Sequence, residues 1–227
     1  VCVPKGSDLR YGVGVNVAHN CNNLVKEMLE GPFEWLWIMG DDHGFQDSLL
    51  LSLLDRDVDI VVPIVSRRGP PFQTVLYQYA ALDGSAYMTF SWADLSRNHP
   101  QGGLIAVDAA GSGGMLIRRH VLETMTAPWF SWSEKISEDV NFCLKARIAG
   151  FAINADLDQR MTHLTPCELE PYRNDKGEWN VAAVIGGRRV SLTNTLHDGK
   201  DLREITYGYK PGMEGRMWET SPTVEGL

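Results

Sequence analysis

The sequence predicts an α/β fold. Three observations carry that reading. Short apolar runs alternate with segments of helical period, two of the runs ("FEWLWIM" and "DIVVPIV") are apolar almost throughout, and polar turns stand between the elements. Continuous apolar runs suit strands covered on both faces, and hence a mostly parallel central sheet flanked by helices. The 227 residues are enough for one sizeable domain, or one domain with a small appendage.

Taken in order, "VCVP" is a short strand candidate stopped by Pro4. "NNLVKEML" sets Leu24, Val25, Met28 and Leu29 at helical spacing, with Asn20 or Asn22 as the cap. "FEWLWIM" is a buried strand, "DSLLLSLL" a helix led by Asp47 or Ser48, and "DIVVPIV" a second buried strand. "SRRGPPF" is a loop, after which "VLYQYAAL" and "AYMTFSW" read as edge strands. "GLIAVDAAGSGGMLIRRHVLETM" reads as strand, glycine turn, strand and helix. "SEDVNFCLKARIAGF" is the clearest helix, with Val140, Cys143, Leu144 and Ile148 on one face, Ser137 as N-cap and Gly150 as C-cap. "FAINADLD" alternates as a strand does and leads into "MTHL". "NVAAVIGGRRVSL" signals a hairpin turning at Gly186 and Gly187, and the polar carboxyl end reads as a tail.

Composition narrows the function classes. A formal charge of -8 with no dense Lys/Arg block argues against generic polyanion binding, though a local cation can still hold a phosphate. No apolar run approaches the roughly 20 residues that span a bilayer, and the first residues lack the pattern of a signal peptide. Cys2, Cys21, Cys143 and Cys167 include no short-spaced pair, so neither a zinc knuckle nor a disulfide framework is indicated and a reducing cytoplasm is the simplest setting.

Four places carry candidate chemistry. "WLWIMGDDHGF" ends a buried strand in Asp41, Asp42 and His43, where adjacent carboxylates repel unless a cation lies between or opposite them. A divalent ion with oxygen ligands and one imidazole, manganese or magnesium, would do this; an acidic helix cap would need no ion. "GSGGMLIRR" places three glycines in four positions before an apolar strand, which bares the main chain to a ligand or simply forms a flexible turn. Glu138 and Asp139 open the clearest helix, where its dipole favours carboxylates and where an acid beside a cleft can act as a general base. His163 follows a strand. Arg67 and Arg68 in "SRRGPP" are the nearest cations for a donor phosphate or an acidic acceptor.

In this order the four pieces resemble the GT-A glycosyltransferases, in particular the family-two-like group with short phage and bacterial members, over residues 14–165. "VNVAHNCNNLVKEML" resembles the segment before the metal motif, with His19 where an arginine is expected and Asn20 keeping the asparagine. "WLWIMGDDHGF" is similar to the strand that ends in Asp-any-Asp. An ungapped register places Gly40 and Asp42 there, and a shift by one gives Asp41-Asp42-His43 as an Asp-any-His variant. "DAAGSGGMLIRRHVLETMTAPWF" resembles the turn and strand lining the acceptor and sugar side, and "SEDV" the acidic helix start. The resemblance implies a GT-A, Rossmann-like catalytic core over residues 1–165, with a small C-terminal hairpin and tail over 166–227 packed beside the cleft and contributing to acceptor choice.

It further implies a manganese- or magnesium-dependent transfer of a sugar from a nucleotide-diphosphate donor to an acceptor hydroxyl, inverting if Asp139 is the base. Glu138 would be the second catalytic residue of the pair, and the base if Asp139 is not. Asp42, His43 and His163 would hold the metal, and Pro4, Lys5, Asn20, Asp41, Arg68, Gly113 and Gly114 the donor. The acceptor, whether glycan, lipid, protein or modified DNA base, stays open. The amino terminus is shorter than in longer relatives, which leaves base recognition reduced or rebuilt. Two other classes fit the residues less completely. A nucleotidyltransferase would carry a basic glycine loop, of which "PKGSDLRYG" is a faint version, and a noncatalytic sugar-binding module would rely on exposed Trp92, Trp129 and Trp132.

Overall fold

The first helix shows how local chemistry sets the elements. In the computed structural model, which describes residues 1–68, 72–82, 85–164, 168–185 and 188–191, helix α1 spans Val17–Glu30. The side chain of Asn16 accepts a hydrogen bond from His19 N at 3.0 Å and so caps it, one turn before the asparagines the periodicity favoured. Ala18, Cys21, Val25 and Met28 recur at intervals of three and four and face the core. At the other end Arg119 donates to the carbonyls of Leu29 and Gly31 at 2.7 and 2.8 Å, which satisfies acceptors the helix leaves open.

The strands build a mixed sheet rather than a mostly parallel one. Its path runs β1 (Trp35–Trp37), β8 (Leu116–Arg118), β3 (Ile60–Ile64), β9 (Ile153–Leu164), β10 (Glu168–Arg173), β11 (Trp179–Ile185) and β12 (Arg188–Ser191). Strands β2 (His43–Phe45) and β6 (Leu104–Val107) pair with β9 off this path. Among the described residues β3 with β9 is the one parallel pairing in this sheet, and the others are antiparallel. The physical reason for the difference is that a continuous apolar run reports burial on both faces, not strand direction. All five residues of β3 are buried as expected. Each aliphatic side chain so buried contributes about 1.5–3 kcal/mol.

Helix α2 (Leu49–Leu54), with Ser48 at its N-cap position, turns Leu49, Leu50 and Leu53 against this sheet. A second sheet of three strands, ordered β5 (Tyr87–Thr89), β4 (Leu76–Ala80) and β7 (Ala109–Ala110), adjoins α5 (Glu138–Ile148), where Cys143 Sγ lies 3.5 Å from both Ala110 N and Ala110 O. Helix α3 (Trp92–Asn98) starts on a capping box between Ser91 and Asp94, and α4 (Arg119–Thr124) follows β8 directly. The guanidinium of Arg56 grips the fully buried Asp156 of β9 with two bonds of 2.7 and 2.9 Å, so this charge is paired where burial would otherwise penalise it.

Other expectations change locally. "VCVP" forms no strand; its residues are exposed, and Cys2 N donates to Asp47 O at 2.7 Å. Ile148 is exposed while Val140, Cys143 and Leu144 are buried, because the helix ends there and Gly150 turns the chain with φ of +94°. Ser137 sits at the N-cap position of α5, but its hydroxyl bonds to Asp139 Oδ1 instead of a backbone N–H. Strands β11 and β12 pair as a hairpin, and Gly186 and Gly187 between them lie outside the described residues, as does the tail from 192 onward. Strands β10 and β11 continue the sheet from β9, and Leu169, Val181 and Ala183 join the main core. No helix among the described residues is long and apolar enough to cross a membrane.

Candidate metal centre and acidic cleft

Strand pairing brings His163 beside Asp42 and His43, which the sequence places 121 and 120 residues earlier. In the β2–β9 ladder His43 stands directly opposite His163, and Leu164 N donates to Asp42 O at 2.7 Å, which holds Asp42 at the same level. The two imidazoles stack with centroids 4.4 Å apart and planes inclined by 20°. Ligand atoms of Asp42, His43 and His163 all lie within 4.8 Å of one another. The glycines around them make room: a Cβ on Gly40 would stand 2.6 Å from His43 Nδ1 and 2.7 Å from Asp42 Oδ1, and one on Gly113 2.6 Å from His43 Nε2.

The hydrogen bonds fix what these groups present. The carbonyl of Ser66 lies 2.8 Å from His163 Nδ1 and can only accept, so Nδ1 carries a hydrogen. In the neutral ring Nε2 then points a lone pair at Asp42 Oδ2, 3.3 Å away. Two lone pairs facing each other at that distance call for a cation or a proton between them, and a carbonyl holding the far nitrogen is the usual support of a metal-ligating histidine. Asp42 Oδ1 lies 2.8 Å from His43 Nδ1 but outside hydrogen-bonding geometry, so this buried nitrogen is left without a hydrogen-bond partner. Burial, followed by the neighbouring His163, pushes the His43 imidazole below its ordinary value against the pull of Asp42. Burial alone would raise the Asp42 carboxyl, yet His43, His163 and Arg68 together hold it below the ordinary range.

Two nitrogens and a carboxylate with this support fit a divalent ion. These are the three residues the resemblance implies, and two imidazoles among them move the preference away from magnesium. Arg68 Nη1 makes an exposed ion pair with Asp42 Oδ2 at 3.1 Å.

The acidic pair meets the other end of the same glycine turn. Asp139 Oδ1 accepts from the Ser137 hydroxyl and from Val140 N at 2.7 Å, while Oδ2 lies 3.5 Å from where a Cβ on Gly111 would stand. One oxygen is anchored and the other faces the turn. Gly111 thus borders Asp139 and Gly113 borders His43. Gly114, with φ of +77°, packs so closely on Pro63 that a Cβ would lie 2.7 Å from its Cγ. Glu138 is buried (7% exposed), and its Oε2 has no hydrogen-bond partner; burial first, and the charge of Asp139 second, push its carboxyl above the ordinary range.

The remaining predicted residues stand outside this group. Asp41 is exposed in the turn before β2. Pro4 and Lys5 lie in an exposed turn that Ser7 N closes on Pro4 O at 3.2 Å. Asn20 donates from its side chain to Gly14 O at 3.0 Å and so holds the amino-terminal segment rather than the metal group. Sequence reasoning missed Ser66, and it read Gly40 only as standing in place of the first acid of the motif, not as room for His43 and Asp42. The structure also buries Trp92 and Trp129, whose indole nitrogens donate to Phe72 O and Leu122 O; of the three tryptophans only Trp132, at 58%, stays exposed.

No protein-family model matches the chain, and no curated protein matches its sequence. Among solved structures, A197 from STIV superposes with a TM-score of 0.42 at 17% identity, over 68% of this chain and 71% of that chain. A likeness at that level decides neither fold family nor chemistry.

Proposed function

We propose that the chain is a metal-dependent glycosyltransferase of the GT-A type that moves a sugar from a nucleotide diphosphate to an acceptor hydroxyl with inversion. One observation supports this above the others: the Asp42, His43 and His163 group and the Asp139 carboxylate border opposite ends of one glycine turn. A manganese ion on the three side chains would neutralise charge on a diphosphate leaving group. Asp42 and His163 would hold that ion with His43 completing the set, and Arg68, exposed beside Asp42, would turn to a phosphate oxygen.

Asp139 Oδ2 takes the acceptor proton as the acceptor oxygen bonds to the anomeric carbon. The bond from that carbon to the diphosphate oxygen breaks, and its electron pair leaves with the diphosphate. Anchoring of Oδ1 by Ser137 and Val140 aims the free oxygen. In this reading Gly113 and Gly114 let the donor approach the backbone, while Pro4, Lys5, Asn20 and Asp41 are donor-side contacts. The catalytic core proposed over residues 1–165 is continued in the same sheet by β10 and β11.

The test is a screen of nucleotide sugars with manganese, scored by thermal stabilisation and by release of nucleoside diphosphate. A donor that stabilises the protein only with metal, and whose diphosphate is released, is the expected result. Release of pyrophosphate from a nucleoside triphosphate would instead indicate a nucleotidyltransferase, and sugar binding without any release a noncatalytic module.

A further inference from the structure

Along the strand that supports the glycine turn near Asp139 lies a set of side chains of which only Arg67 stood out in the sequence. Strand β4 pairs with β7 so that Tyr77 stands opposite Ala109, and Val75, two residues earlier, accepts from Gly111 N at 2.9 Å. Tyr77 is therefore carried by the strand that supports the glycine turn at the Asp139 end. Arg67 Nη2 donates to the Tyr77 hydroxyl at 3.2 Å, and its guanidinium lies 5.9 Å from the centre of the Tyr77 ring. Tyr87 of β5 meets Tyr77 edge-on at 5.3 Å and 79°, and is 50% exposed.

The backbone of Gln73 fixes the loop that carries Arg67, its carbonyl accepting from Arg67 N at 2.8 Å. Among the described residues no carboxylate forms an ion pair with Arg67, which leaves its remaining N–H groups for a ligand. Burial pushes the Tyr77 phenol up, Arg67 pulls it down and Asp139 pushes it up again, so guanidinium and carboxylate both act on this hydroxyl.

We infer that Arg67, Tyr77 and Tyr87 form the acceptor subsite, and that the acceptor is a carbohydrate whose pyranose ring packs on Tyr87 while its hydroxyls bond to Arg67. The inference rests on the transferase reading and names its substrate class. A sugar ring offers an apolar C–H face to an aromatic side chain and a rim of hydroxyls that both donate and accept. The subsite supplies the matching parts: an exposed ring and an array of guanidinium donors. A lipid tail would leave those donors unused. Three consecutive residues tie the subsite to the metal group: the Ser66 carbonyl holds His163, Arg67 reaches Tyr77, and Arg68 pairs with Asp42.

The test is saturation-transfer NMR on the full chain with manganese and UDP present, using methyl glycosides of glucose, galactose, mannose and N-acetylglucosamine, with 2′-deoxynucleosides and hexanol as the competing classes. At least one glycoside should receive saturation. Tyr87→Ala and Arg67→Gln should each weaken it on the order of tenfold, while Tyr87→Phe, which keeps the ring, retains it. Manganese binding should be unchanged in all three variants, which confines the effect to the subsite.

Saturation of no glycoside, equal saturation in Tyr87→Ala, or binding of nucleosides or hexanol alone would overturn the inference. The underlying reading fails separately. Release of nucleoside diphosphate without glycoside binding removes the subsite and keeps the transferase. Glycoside binding on Tyr87 without release from any nucleotide sugar removes the transferase and leaves a sugar-binding surface.

Discussion

Replacing Gly113 by alanine tests the geometry of the metal group without touching a ligand. The backbone there does not require glycine, since Gly113 is not among the residues of positive φ. The added methyl would stand 2.6 Å from His43 Nε2 and 3.0 Å from Cε1, distances a carbon cannot keep. The imidazole has no easy retreat, being only 9% exposed and stacked on His163. Overpacking of this kind costs about 1–3 kcal/mol. At roughly 2–4 °C per kcal/mol for a chain of this size, Tm should fall by about 2–12 °C.

The displaced ring should also cost at least about tenfold in manganese affinity, equivalent to about 1.4 kcal/mol. Calorimetric titration with manganese and thermal unfolding read the two effects. A double-mutant cycle isolates the contact: in a His43→Ala background the same substitution should cost less than about 0.5 kcal/mol. Parental stability and manganese affinity in Gly113→Ala, or an equal cost in both backgrounds, would refute the reasoning.

Asp139→Asn should reduce transfer on the order of 10² or more with nucleoside diphosphate affinity unchanged, as single-turnover rates and a binding titration would show. Glu138 holds its proton more tightly folded than unfolded, so its stabilising contribution is complete below its ordinary value and is lost as pH rises through the raised folded one. Glu138→Gln should therefore gain Tm on the parent at pH 7–8 relative to the difference at pH 4 on the order of the unfolded value, measured by thermal melts across that range. Arg68→Gln removes the cation that competes for Asp42 and should tighten manganese while weakening a nucleoside diphosphate; calorimetry with each ligand separates the two directions.

Much of the site was legible because its residues stand at element ends with distinctive chemistry. Asp42 closes an apolar run and Asp139 opens a helix, and both patterns are local. The pairing of His43 with His163 is not local. It is set by the register of β2 on β9, and no spacing along the chain reports which residues face each other across a ladder.

The sheet was legible as strands but not as directions, because Ile60–Ile64 would be equally apolar in a parallel or an antiparallel setting. Asn20 and Asn22 resemble caps, yet Asn16 caps α1 because the helix begins a turn before its first strongly periodic apolar residues. Arg67 was legible as a cation, but its contact with Tyr77 was not, since that depends on the bridge that sets Ser66 against Thr74.

Pulsed EPR of the manganese-loaded protein with UDP tests the central claim most directly. Nitrogen couplings from two imidazoles should appear on the bound ion and fall to one in His163→Ala, with binding abolished in Asp42→Ala. A spectrum of manganese ligated by water and phosphate alone, unchanged in those variants, would contradict the metal centre.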